Sequence, residues 1–316
     1  MPKLSLVSAK PLVSVIIPTY NCAQFILQSV QSVIGQTYQN LEIIIINDGS
    51  TDNTKEILKN NISDPRVHVF HQSNRGMAKS LNFAINISSS ELIARHDADD
   101  LMLSDRIEKQ VNEFVSRPDL QVLGAVGFYI DTNNNILGRV TSDITPAKIE
   151  KWYKPKAEPI GLLHPSVMYK KSTIKSVGGY RHDYWPSDDI DLWNRLVEVG
   201  AKIDVLQIPL IHYRLHASSA VAGQYYKNRM IYRWTRQNMR NRRNGKNEIT
   251  LKQYQQYYPT SINQKRKDLA KYLIRNSSLN LKSKIRLNRF KSYLIILTAS
   301  VIDPIYILNK IASKLK

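Results

Sequence analysis

A single cysteine, Cys22, stands in 316 residues, and glycine is scarce at 12. One thiol excludes an internal disulfide framework and a cysteine-rich metal site, and it fits a reducing compartment. No G-x-G-x-x-G and no G-x-x-x-x-G-K-[ST] follows the first apolar segment, which removes the main support for dinucleotide-binding and P-loop readings. Long apolar runs are missing too. The longest, Tyr293 to Ile302, is about half of the roughly 20 residues a spanning helix needs. The start, Met1-Pro2-Lys3-Leu4-Ser5-Leu6-Val7, has no long apolar run ending in a cleavage site, so neither a secretory leader nor a membrane span is expected. Acid is nearly absent from the last third. Residues 220–316 carry 22 Lys and Arg against Glu248, Asp268 and Asp303, whereas residues 1–219 carry 23 of each sign. The formal net charge of +19 therefore belongs wholly to the C-terminal part, and a two-part chain is expected, divided near residue 219.

A hydrophobic content of 42% excludes general disorder and allows a sizeable core. In the first hundred residues four short, mostly β-branched runs alternate with segments of helical spacing. The runs are Val13–Ile17, Leu41–Ile46, Val67–Phe70 and Leu92–Arg95. Between them lie Phe25, Ser29 and Val33, then Thr54–Leu58, then Ala78–Ile85. Near-continuous apolar strands separated by helices predict an α/β fold with a mostly parallel, doubly wound sheet covered on both faces. Such sheets bind ligands at the carboxyl ends of their strands. Each run here ends in polar residues: Pro18-Thr19-Tyr20-Asn21, Asn47-Asp48-Gly49-Ser50, Asn74-Arg75-Gly76 and His96-Asp97-Ala98-Asp99-Asp100. Further on, Asn133-Asn134-Asn135 between two apolar runs predicts a hairpin turn.

Asp97-Ala98-Asp99 is the sharpest of these clusters. On an extended chain, residues i and i+2 point to one side, so both carboxylates can converge on a hard cation such as Mg²⁺ or Mn²⁺. The same spacing also fits an acidic turn before a helix near Ser104. Asp48 can accept hydrogen bonds from a nucleoside, beyond the helix capping that Ser50 or Asp52 would provide. Arg75-Gly76, opening the third helix, offers a guanidinium and free N–H groups to a phosphate, or it is a solvated arginine. Asp188-Asp189 fits either a solvated helix N-terminus or a general base beside an acceptor hydroxyl. His164 and His216 fit structural roles, and imidazole also suits Mn²⁺ as a third protein ligand.

Taken in order, the four strand-end clusters with His164-Pro165-Ser166, Gly178-Gly179-Tyr180 and Asp188-Asp189-Ile190-Asp191-Leu192-Trp193 resemble family-2 glycosyltransferases over about residues 11–216. The resemblance implies a GT-A nucleotide-diphospho-sugar transferase fold and inverting sugar transfer. It implies a nucleotide-sugar half at 11–117 and an acceptor half at 118–219. Thr19, Tyr20 and Asp48 would hold the nucleoside, with Arg75 near the base or diphosphate. Asp97 and Asp99 match the family's D-x-D, Asp99 as metal ligand and Asp97 nearer the ribose. Asp189 matches the catalytic base, with Asp188 and His164 beside the acceptor, and His216 resembles a C-terminal histidine that ligates the metal. The family usually has Glu-Asp where this chain has Asp188-Asp189.

The basic part completes the expectation. Arg229, Arg233, Arg236 and Arg240 lie at four-three-four spacing, interleaved with Tyr225, Tyr226, Tyr232 and Trp234. An apolar stripe at Leu287, Phe290, Leu294, Leu297 and Val301 goes with Lys282, Lys284, Arg286, Arg289 and Lys291. Basic helices with such stripes lie on anionic membranes, each cation contributing on the order of 1 kcal/mol. The alternative is that the stripe docks on the catalytic domain or a partner subunit, with the charges solvated. The expected protein is thus a cytoplasmic enzyme, peripheral on the inner face of the plasma membrane. It would move a hexose from a UDP-sugar, with Mn²⁺ or Mg²⁺, to a lipid-linked or surface-polysaccharide acceptor, as in capsule or O-antigen assembly. Nucleic-acid binding is disfavoured because no nucleic-acid module motif occurs. A sugar nucleotidyltransferase should carry a glycine-rich loop where this chain reads Pro18-Thr19-Tyr20-Asn21-Cys22.

Overall fold

A computed structural model describes residues 10–140, 150–154, 157–216 and 225–281, with the single residues 295, 298, 302 and 303. The chain falls into two compact units. One comprises residues 1–219 and 235–246, the other residues 220–234 and 247–316.

In the first unit, β1 (Val13–Thr19), α1 (Ile26–Ile34), β2 (Leu41–Asp48), α2 (Thr54–Asn61), β3 (Val67–Gln72), α3 (Met77–Ile87) and β4 (Leu92–Arg95) alternate as the periodicity predicts. Then follow β5 (Leu101–Met102), α4 (Arg106–Ser116), β6 (Val122–Ile130), β7 (Ile136–Val140), β8 (Met168–Lys170), α5 (Lys171–Ser176), α6 (Asp188–Glu198) and β9 (Ile203–Arg214). The described strands form one sheet in the order β3-β2-β1-β4-β8-β6-β9-β5, with β7 pairing on β6. Pairing is parallel through β3-β2-β1-β4 and again between β6 and β9. It is antiparallel at β4-β8, β8-β6, β6-β7 and β9-β5.

The apolar runs are continuous because both faces of the sheet are covered. Ile16, Ile44, Ile46 and Ile93 pack on one face under α3 and α6, through Leu81, Ala84, Leu192 and Trp193. Their neighbours Val15, Ile17, Ile43, Ile45 and Ala94 pack on the other, under α1, α2 and α4. Period-two alternation thus assigns successive residues of one strand to two cores. Each fully buried isoleucine contributes roughly 1.5–3 kcal/mol relative to exposure. The β6–β7 hairpin turns at Asp131–Asn135, as expected from its three asparagines. Asp131 Oδ1 accepts from the N–H groups of Asn133 (2.8 Å) and Asn135 (2.9 Å), and Asn134 takes a left-handed φ of 66°.

The second unit is helical where described. The helix α7 (Tyr225–Arg243) contributes its residues up to 234 to this unit and the remainder to the first. It is followed by α8 (Leu251–Tyr257) and α9 (Ile262–Leu281). A capping box starts α8: Thr250 Oγ1 accepts from Gln253 N–H, and Gln253 Oε1 accepts from Thr250 N–H at 2.8 Å. Among the described residues no helix is long and apolar enough to cross a membrane.

Candidate active site

The carboxyl ends of β1, β2, β3 and β4 carry most of the residues the sequence singles out. Thr19 ends β1, buried, with its Oγ1 unpartnered among the described residues; Tyr20 follows with half its surface exposed. The two loops beyond β1 and β2 are laced together. Asn21 N–H donates to Ser50 Oγ (3.0 Å), Cys22 N–H to Thr54 Oγ1 (2.9 Å) and Ala23 N–H to Asp52 Oδ2 (3.0 Å). Ser50 and Asp52 therefore serve the loops themselves.

Asp48, buried at the end of β2, spans to the loop after β3. Its Oδ1 accepts from Gln72 Nε2 (2.6 Å) and Arg75 N–H (2.8 Å), and its Oδ2 accepts from Gly76 N–H (2.8 Å). A carboxylate has about four acceptor positions, so one stays unfilled. Gly49 allows this close approach. Its φ is +74°, and a Cβ there would sit 2.6 Å from Asn74 N. The Arg75 side chain stands exposed at the mouth of this loop.

The acidic loop after β4 divides its carboxylates by environment. Asp97 is gripped by the buried Arg95, Nη1 to Oδ2 at 2.7 Å and Nη2 to Oδ1 at 2.5 Å. Burial pushes the Asp97 carboxyl up from its ordinary range, against the pull of Arg95. Asp99, 27% exposed on its side chain, meets His216 Nε2 at 2.8 Å through Oδ2. Asp100 is buried. Its Oδ1 accepts from Arg214 N–H at 2.8 Å and its Oδ2 has no partner among the described residues. Burial raises the Asp100 carboxyl well above the usual range, and the charges of Asp99 and Asp97 raise it further. Carboxylate oxygens of Asp97, Asp99 and Asp100 lie within 4.8 Å of one another. Three hard oxygen donors, an orphaned carboxylate oxygen and an adjoining imidazole fit a divalent cation.

The second acidic cluster opens α6. Asp191 is fully buried and hydrogen-bonded by two guanidinium groups, Arg181 Nε at 2.8 Å and Arg195 Nε at 2.9 Å, with that of Arg242 at 3.6 Å. Arg195 Nη2 also donates to Gly179 O at 2.6 Å. Asn82 on α3 braces the same turn, accepting from Tyr180 N–H (2.9 Å) and donating to Tyr180 O (2.8 Å). Gly179 is required there: its φ is +71°, and a Cβ would meet Asn82 Oδ1 at 2.5 Å. Asp188 and Asp189 have no such clamp. Burial and the charge of Asp189 push Asp188 up to about 7, and burial pushes Asp189 up to about 6. Arg95 and Asp97 both act electrostatically on Asp189, so the two acidic clusters share one field. His164 Nε2 lies 2.9 Å from Tyr180 Oη, and its ring packs against Trp193. Burial and Arg95 hold this imidazole neutral, well below its usual value.

Arg95, Arg181 and Arg214 went unmarked in the sequence because an arginine ending a strand, or following a turn, carries no local signature of the partners it meets when buried. A signal existed for Arg95 and Arg214. Each is a cation inside an apolar strand run, where an unpaired charge would be costly.

The arginine face of α7 is engaged by protein. Arg229 (3.5 Å) and Arg233 (2.6 Å) pair with Asp268, and Arg236 and Arg240 pair with Glu158. Trp234 is buried, with Nε1 donating to Ile249 O at 2.7 Å. The apolar stripe from Leu287 to Val301 lies outside the described residues.

This architecture agrees with the comparisons. The model of the family described as glycosyl transferase family 2 matches residues 14–175. A Bacillus subtilis protein named as glycosyltransferase EpsE is 33% identical over 209 residues, covering 65% of this chain and 73% of its own. An Escherichia coli chondroitin synthase is 32% identical over 193 residues, 60% of this chain but 27% of its own length. Among solved structures, S. aureus TarS 1-349 in complex with UDP-GlcNAc has a TM-score of 0.53 at 17% identity, covering 91% of this chain and 90% of that one. The chain belongs to glycosyl transferase family 2, and its α/β domain has the GT-A architecture with a helical C-terminal portion.

Proposed function

We propose that this glycosyltransferase moves one hexose, with inversion, from a UDP-sugar to a hydroxyl of a lipid-linked or surface-polysaccharide acceptor. The observation that carries the reading is the meeting of Asp99 and His216 at 2.8 Å inside the acidic loop. Asp99 and His216 would hold Mn²⁺ or Mg²⁺. When bound, the cation neutralises charge developing on the departing nucleoside diphosphate.

The chain's own groups do the rest. Thr19, Tyr20 and the open acceptor position of Asp48 bind the nucleoside, and Arg75 meets the diphosphate. Asp97, fixed by Arg95, faces the ribose. Asp189 accepts the proton of the acceptor hydroxyl as that oxygen attacks the anomeric carbon. A carboxylate raised to about 6 is a better base than an ordinary aspartate and is still ionised near pH 7. Asp188 and His164 line the acceptor side and keep water from the proton path. A UDP donor is supported by TarS having been crystallised with UDP-GlcNAc. A polysaccharide acceptor is supported by the name of the chondroitin synthase.

In the proposed division, residues 1–219 catalyse and residues 220–316 hold the enzyme at the inner face of the plasma membrane, as in capsule or O-antigen assembly. Asp99→Ala should abolish the Mn²⁺-dependent part of UDP binding, read by calorimetry with and without Mn²⁺. An unchanged affinity refutes the cation assignment. For the tail, flotation with anionic liposomes should be retained by the full chain and reversed by salt; absence of flotation refutes the membrane role.

A further inference from the structure

We infer that Arg214 is the positioning residue of the cation site: it fixes Asp99 and His216 relative to each other without being a ligand. This deepens the reading above and rests on it. Arg214 is 2% exposed and sits two residues before His216, at the end of β9. Its Nε donates to the main-chain oxygen of Asp99 at 2.7 Å, and its own N–H donates to Asp100 Oδ1 at 2.8 Å. Its Nη1 donates to Asp131 O at 2.8 Å and to Asn134 Oδ1 at 2.7 Å. Its guanidinium carbon lies 4.7 Å from the centre of the Phe25 ring, and that ring is 5.0 Å from the imidazole of His216.

One planar group therefore joins three separate segments: the turn before α1, the acidic loop and the β6–β7 hairpin. The choice of acceptors matters most. Arg95 takes both carboxylate oxygens of Asp97. Arg214 instead binds the backbone of Asp99, so its donors leave the Asp99 carboxylate to His216 and a cation. A lysine cannot replace it. The ammonium is a single compact charge, whereas this role needs a rigid fork reaching two loops while its flat face lies on Phe25. Groups that orient metal ligands typically change metal affinity by about 10–100-fold when removed.

The test is Mn²⁺ alone, titrated into the full chain and followed by the electron paramagnetic resonance of free Mn²⁺. Arg214→Lys should bind Mn²⁺ at least about tenfold more weakly than the unaltered chain. Asn134→Gly keeps the left-handed backbone, removes one acceptor from Arg214, and should weaken Mn²⁺ binding by a few fold. UDP binding by Arg214→Lys should return to the unaltered level at saturating Mn²⁺, which a merely misfolded variant would not do. Unchanged Mn²⁺ affinity in both variants overturns the assignment, as does a loss of UDP binding that saturating Mn²⁺ leaves unrepaired. Failure of the unaltered chain to bind Mn²⁺ overturns the cation reading and the role of Arg214 with it.

Discussion

Asp97-Ala98-Asp99-Asp100 and Asp188-Asp189-Ile190-Asp191 are nearly the same four residues in two places. Each holds three aspartates, and in each one of them is gripped by arginine, by Arg95 in the first and by Arg181 and Arg195 in the second. In the first the gripped residue is Asp97, at the solvent-accessible edge, and two carboxylates remain beside an imidazole. In the second it is Asp191, in the core, and the pair left over is raised toward neutral pH by burial. Composition does not separate the two clusters. Which aspartate arginine neutralises, and whether a histidine contacts the remainder, does separate them.

The contrast can be broken in three ways. The largest effect is expected at Asp189→Asn, where loss of a general base should lower kcat by about 10²–10⁴-fold. UDP affinity with Mn²⁺ should stay within a few fold, because that binding belongs to the other cluster. Steady-state kinetics and calorimetry on the same preparation check both. The second is Asp191→Asn, which removes the carboxylate partner of the buried Arg195 and of Arg181 and Arg242. Breaking a buried pair costs about 3–5 kcal/mol, reduced here because Arg181 is 31% exposed. Urea unfolding should show it as a lowered midpoint, while the Mn²⁺ site stays intact. The smallest is a pH effect. The base works ionised and its folded-state value is about 6, so kcat/KM should be flat above pH 7 and fall about tenfold per unit below pH 6. A profile that stays flat down to pH 5 removes Asp189 from the proton path.

Much of the first half was legible in the chain because its information is local. The run Leu92–Arg95 matches β4 at both ends, and Val13–Ile17 and Leu41–Ile46 fall two residues short of β1 and β2. Those last two residues are the polar strand ends themselves, Pro18-Thr19 and Asn47-Asp48, whose backbone continues the ladder after the apolar pattern stops. The D-x-D and the Asp188-Asp189 pair were legible as acids on a strand end and a helix start. What the sequence hid is partnership. Nothing near Arg95 announces that it spans Asp97 and acts on Asp189, and nothing near Asp268 announces that it neutralises Arg229 and Arg233. The arginine face of α7 fitted a membrane helix by spacing, yet the same spacing brings those cations to Asp268 and Glu158. Charge periodicity specifies a face of a helix; it does not specify what that face meets.

The hydrogen bond between Asp99 and His216 joins residues 117 positions apart, and that between Asp100 and Arg214 spans 114. The pairs β1-β2 and β2-β3 close far shorter loops, and with β1-β4 they involve residues synthesised early. Loop closure over longer stretches carries a larger entropy cost, and domains assemble from the N-terminus as they leave the ribosome. A nascent chain can therefore build its nucleotide-side sheet while β9 is still untranslated, with the acidic loop lacking its imidazole and its brace. On the proposed assignment, competence for the cation arrives only with the final strand of the sheet, ahead of residues 235–246 that complete the same unit. A chain released before residue 216 would fold in part yet never carry a complete site.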